Sequence, residues 1–147
     1  MIVSFLDANI PLLATGPVIP PKDECLRVLE LARACPGACV TSAEVLQEVL
    51  HVMHRRVLPE RLQRALELIT GAVHGNVVSL LSGDVMRAAG LGIPHLQARD
   101  LVHLATMERL GISAIISTDT GFDRVPGIRR LDPRLLGVWR DEVFAVR

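Results

Sequence analysis

Four acidic residues stand where a chain can put carboxylates to chemical use. Asp7 closes the short apolar run "IVSFL" at 2–6, and Asp119 follows a second apolar run in the stretch "SAIISTDTGFDRV" at 113–125. Glu48 lies inside the helical pattern "TSAEVLQEVLHVMHRR", between Leu46 and Val49 and near the edge of the apolar face, and Asp100 opens the pattern "RDLVHLATMERLG". Each acid has an ordinary reading of its own. Asp and Gly form turns, a helix Glu is most often solvated, and an Asp in a first helical turn complements the helix dipole. Gathered at one end of a buried sheet, four carboxylates would repel one another and raise one another's pKa. A hard cation relieves that repulsion, and oxygen-only ligation selects Mg²⁺ or Mn²⁺ over zinc. Such a cluster suits phosphoryl chemistry, in which the ion acidifies a water and offsets charge on the phosphate.

The elements that must carry these acids follow from periodicity. "IVSFL" is β-prone and reads as a strand ending at Asp7. "GPVIPP" at 16–21 is a loop with three prolines, and Lys22–Ala34 places Cys25, Leu26, Val28, Leu29 and Leu31 at helical spacing. "ACV" at 38–40 is a short strand candidate. The helix after it has Thr41 or Ser42 as N-cap and Val45, Leu46, Val49, Leu50, Val52 and Met53 on its apolar face. Pro59 suits the first turn of a helix running to about Ala72. "NVVSLL" at 76–81 reads as a strand, followed by a short helix capped by Ser82 or Asp84 and ending near Gly90. "GLGIPHLQA" is a loop. The Asp100 helix turns Leu101, Leu104, Ala105 and Met107 or Leu110 inward and ends at Gly111. "AIIS" and "IRRL" (128–131) are the last strand candidates, and the tail after Pro133 is amphipathic with no assigned element. Strands alternating with helices imply a parallel α/β sheet covered on both faces, where ligands bind at the carboxyl ends of the strands. Asp7 and Asp119 then emerge at one edge.

Composition sets the remaining bounds. A chain of 147 residues suits one domain, and with half its residues hydrophobic but only 3% aromatic its core must be aliphatic. Sixteen basic residues balance sixteen acidic ones, which argues against a large nucleic-acid footprint held by charge alone but leaves room for a small metal-assisted site. The start, "MIVSFLDANI", lacks the basic region of a signal peptide, and no stretch approaches the roughly 20 apolar residues of a membrane span. Cys25, Cys35 and Cys39 read as reduced thiols of a cytoplasmic protein, without the second ligand pair of a zinc site.

Taken in order, the motifs resemble the PIN domain, the fold of many metal-dependent ribonucleases, including the VapC-type toxins of toxin–antitoxin pairs. The resemblance runs over about residues 2–133. "FLDANIPLL" is similar to the family's opening strand and maps Asp7 and Asn9. "TSAEVLQEVL" matches the helix whose internal Glu follows a hydroxyl residue and maps Glu48 rather than Glu44. "ARDLVHLATMERLG" maps Asp100, and "IISTDTGF" maps Ser117, Asp119 and Phe122. Many members carry another acid directly before that Phe; here Gly121 takes the place and is read as making the turn.

The resemblance implies an α/β, PIN-like three-layer fold over a single domain, 1–147, with a central, mostly parallel sheet of four to five strands and helices on both faces. It implies an endoribonuclease in which Asp7, Glu48, Asp100 and Asp119 hold Mg²⁺ or Mn²⁺, supported by Asn9, Ser117 and Asp123. Of the two acids in the opening stretch, Asp119 belongs at the metal and Asp123 at its periphery, paired with Arg124 or a neighbouring base. The implied partners are an RNA substrate, a small antitoxin and a second copy of the chain, with no membrane. A silent module that keeps the fold and holds RNA or protein without cutting is the alternative. A Mg²⁺-dependent phosphatase would want a second acid two residues after Asp7, where Asn9 stands. His51, His54, Arg55 and Arg56 read as a solvated helix end, with an RNA path as the rival reading, and His103 reads as a half-buried helix histidine.

Overall fold

The computed structural model describes residues 2–144. Five parallel strands form the sheet: β1 (Ser4–Leu6), β2 (Cys39–Ser42), β3 (Val77–Val78), β4 (Ala114–Ile116) and β5 (Arg129–Leu131), in the order β3-β2-β1-β4-β5. The helices are α1 (Asn9–Ala14), α2 (Lys22–Ala34), α3 (Ala43–Arg55), α4 (Pro59–Ala72), α5 (Ser82–Ala89), α6 (Ala98–Leu110) and α7 (Leu136–Phe144), with 3-10 turns at Thr120–Arg124 and Pro133–Leu135. Every residue of β1, β2 and β4 is buried, so both faces of the sheet centre are covered by helices. The core is aliphatic with a few large rings, among them Phe5, Phe122 and Phe144.

Register places the site. Ser4 pairs with Ala114 and Leu6 with Ile116, so the residues that follow, Asp7 and Ser117, leave adjacent strands side by side. β2 runs beside β1 with Ser4 opposite Cys39, and α3 begins directly after it with Ser42 as N-cap, its side chain accepting from the Val45 amide at 3.3 Å. Gly111, at φ +69°, closes α6 in the left-handed conformation that a helix end favours.

Several elements differ from the sequence expectation. The strand expected over 76–81 survives only as Val77–Val78. Beyond it the backbone groups a ladder would use go to side chains: Arg109 donates to the Ser79 carbonyl at 3.0 Å, and Asp84 accepts from the Leu81 amide at 3.0 Å. Asp84 thus caps α5 from inside its first turn. The apolar stripe of α3 is narrower than expected, with Val45, Val49 and Met53 buried but Leu50 46% exposed. α1 had no expected element. Pro11 fits there because its missing N–H falls in the first turn, where no intrahelical acceptor exists. The tail forms α7, which buries Trp139, Val143 and Phe144.

Candidate functional site

Asp7 is one residue past β1 and almost fully buried; its amide donates to the Ile116 carbonyl at 3.2 Å. Three donors hold its carboxylate: the Ala8 amide to Oδ1 at 2.8 Å, and Ser117 Oγ at 2.6 Å and Asn9 Nδ2 at 3.0 Å to Oδ2. Ser117 in turn accepts from Asn9 Nδ2 at 2.9 Å and from the Asp119 amide at 3.0 Å. Its one proton and both lone pairs are therefore engaged, which suits it to orienting Asp7 and the Asp119 loop. Asn9 Oδ1 accepts from the Thr118 amide at 3.2 Å, tying α1 to the same loop.

Asp119 caps the Thr120–Arg124 turn, with Oδ1 accepting from the Gly121 amide at 2.9 Å. The turn is made by this side-chain bond. Gly121 matters for its size: a Cβ there would lie 3.1 Å from Asp119 Oδ1 and 3.1 Å from Leu96 Cδ2. His95 reaches over the same residue, with Nε2 2.9 Å from the Gly121 carbonyl. Sequence reasoning passed over His95, since a histidine in a loop has no periodicity to mark it.

Glu48 comes from α3 and is partly exposed, and Asp100 comes from the first turn of α6. Glu44, one turn before Glu48, pairs with Arg99 at 3.4 Å. Asp7, Glu48, Asp100 and Asp119 line one open cleft of about 270 Å³, together with Asn9, His95, Leu96, Gln97 and Gly121. Asp123 lies outside it and faces Arg130 in a two-point ion pair at 2.8 and 3.0 Å. His51, Arg55 and Arg56 line a separate shallow groove.

Burial pushes Asp100 up to about 6, helped by the carboxylates of Asp7, Asp119 and Glu48. Burial likewise raises Asp7, and Glu48 adds to it, while His103 and the bonds from Ser117 and Ala8 pull the other way. His103, expected to be half-buried, is fully buried behind the acids. Its Nε2 lies 3.2 Å from Glu48 and 3.8 Å from Asp7. Burial alone would lower its pKa; the Glu48 bond and the surrounding carboxylates outweigh that and raise it. Ligand atoms of Asp7, Glu48 and His103 lie close enough together to hold a metal ion, Asp100 and Asp119 line the same cleft, and a cation would remove the penalty that the buried acids meet on ionising alone. No helix among the described residues is long and apolar enough to cross a membrane.

Comparison with known proteins identifies the family and the fold. A family model described as "PIN domain" matches residues 5–128. Ribonuclease VapC13 of Mycobacterium tuberculosis is 39% identical over 129 residues, covering 86% of this chain and 98% of that protein. The crystal structure of M. tuberculosis VapC20, a sarcin-ricin loop cleaving toxin, superposes with a TM-score of 0.64 at 17% identity over 79% of this chain and 89% of its own. VapBC2 of Rickettsia felis, solved bound to a DNA fragment from its promoter, gives 0.65 at 14% identity over 89% of this chain and 98% of its own. These two structures share the fold.

Proposed function

The chain belongs to the PIN domain family, and from that premise we propose that it is a metal-dependent endoribonuclease, the toxin of a toxin–antitoxin pair. The observation that carries the reading is the convergence of Asp7, Glu48, Asp100 and Asp119, from four separate elements, on one cleft. We take these four as the residues that hold Mg²⁺ or Mn²⁺. When bound, such a cation acidifies a water and offsets charge on the phosphate. The rest falls to the protein. Ser117 and Asn9 hold Asp7 from behind, the Gly121 amide holds Asp119, and the strand ends fix the spacing of both. In this reading His95 and Gln97, which line the cleft, meet the RNA chain.

The partner in this reading is a small antitoxin with an amphipathic helix laid against α3 and α4. Leu50 is 46% and Val57 80% exposed there, beside the groove of His51, Val52, Arg55 and Arg56. A single-domain toxin acting in the cytoplasm, self-associating and with its three thiols free, completes the proposal.

The test is a cleavage assay on end-labelled RNA with nuclease-free protein. Hydrolysis that needs added Mg²⁺ or Mn²⁺, stops with chelator, and is absent in Asp7→Asn is expected. The Asn oxygen can still accept from Ser117 and Asn9 at the loss of the Ala8 amide's bond, and a melting curve checks that the variant is folded. Wild-type cleavage by Asp7→Asn, or no cleavage of any RNA by the wild-type chain, would overturn the reading, the second favouring a silent binding module.

A further inference from the structure

His103 is the buried base at the back of the acid cleft. Its side chain is 0% exposed, and its ring packs at a tilt against Phe5 with centroids 5.6 Å apart. One ligand atom from each of Asp7, Glu48 and His103 lies within 4.8 Å of the others, a spacing that a three-ligand metal site would also have. The second ring nitrogen separates the two possibilities. A histidine that binds a metal almost always donates from its other nitrogen to a carboxylate, a carbonyl or a water. Nδ1 of His103 is buried and has no hydrogen-bonding partner among the described residues. For Nε2 to offer a lone pair to a cation, the ring proton would have to sit on Nδ1 and leave a donor stranded in the core. With the proton on Nε2, the bond to Glu48 is made and Nδ1 is left only as an unpaired acceptor.

The two acids differ in how they are held. Asp7 accepts from three donors. Glu48 accepts from His103 alone among the described residues, at the end of a long side chain that is 25% exposed.

We propose that His103 is a positioning residue and not a metal ligand: its Nε2–H fixes the Glu48 carboxylate beside Asp7 and so presets the pair for the cation. This rests on the metal-site reading of the four acids. The bond replaces the rotamer freedom Glu48 would otherwise lose on metal binding, which is how an outer partner raises the affinity of a ligand it does not itself supply.

The test is Mn²⁺ binding to the full chain by calorimetry, joined to pulsed electron paramagnetic resonance of the bound Mn²⁺. The wild type is expected to show no directly coordinated nitrogen. His103→Ala should bind Mn²⁺ about 10- to 100-fold more weakly. His103→Gln, which keeps an N–H donor, should recover part of that loss. A directly coordinated nitrogen in the wild type overturns the proposal, as does unchanged Mn²⁺ affinity in a folded His103→Ala. If His103→Ala does not fold, the wild-type spectrum decides, with His103→Gln required to bind Mn²⁺ at more than one-tenth of wild-type affinity. A wild-type chain that binds no Mn²⁺ overturns the metal-site reading together with this one; either of the other failures overturns this one alone.

Discussion

Ser117 Oγ donates to Asp7 Oδ2 at 2.6 Å, joining the ends of β4 and β1 across 110 residues of sequence. The bond is set by strand register and is fully buried. Ser117→Ala would remove a donor from Asp7 and an acceptor from both Asn9 and the Asp119 amide. Leaving such groups unpaired costs about 1–3 kcal/mol. Chemical denaturation should show that loss, and cleavage should fall as Asp7 and the Asp119 loop lose their common anchor.

Stability and metal response should depend on pH in a defined direction. The Asp100 carboxyl is raised from the ordinary 3.8 to about 6 in the folded chain, so the folded state binds the extra proton between those values. Without metal, its ionisation costs nothing below about pH 4, costs more as pH rises to 6, and costs its full amount above. Asp7, also raised, acts in the same sense, and raised His103 contributes stability below its ordinary value that is lost as pH climbs through its folded one. The metal-free protein should therefore melt lower at pH 7.5 than at pH 5 by this contribution, and Mg²⁺ or Mn²⁺, which binds the ionised form, should raise the melting temperature more at pH 7.5. Asp100→Asn should flatten the metal-free slope and abolish cleavage. A metal effect equal at both pH values would contradict this.

Asp119 and Asp123 should separate in the same melts. Asp119 lines the cleft and Asp123 pairs with Arg130 outside it, with half of its side chain exposed. Asp119→Asn should blunt the metal-dependent rise. Asp123→Asn should keep the rise and cost no more than about 1 kcal/mol, the usual worth of an exposed pair. The reverse ranking would mean that the wrong carboxylate of the pair has been placed at the metal.

Val57 gives a handle on the partner. It holds φ +54°, a strained conformation for a β-branched side chain, and is 80% exposed. Asn tolerates that backbone far better, so Val57→Asn should be neutral or stabilising by up to about 1 kcal/mol. If the groove beside α3 takes an antitoxin helix, the same substitution should weaken capture of a co-expressed antitoxin by about fivefold, or about 1 kcal/mol. Cleavage by the free chain should not change. Undiminished capture would move the docking site elsewhere.

The alternation of strands and helices, the bounds of α2 and α4, and the four acids (two past strand ends, one in a first helical turn, one inside a helix) were legible in the chain alone. Those features are local. They depend on the 2.0 and 3.6 residue periods, on Pro59 and Gly111 as punctuation, and on motifs in an order that a family shares. Tertiary structure decided the rest. It shortened the 76–81 run to Val77–Val78, where Arg109, 30 residues along the chain, takes the Ser79 carbonyl and the neighbouring Asp84 takes the Leu81 amide. Asp123 and Asp119 are four residues apart and alike in type; only the fold puts Arg130 in front of one and the cleft in front of the other. It buried His103 completely, where helical spacing gives a half-buried side chain, because β1 and α3 both close against that face of α6. Periodicity tells which side of a helix turns inward. What a buried side chain meets there depends on residues brought from elsewhere in the chain, here Glu48, 55 positions away.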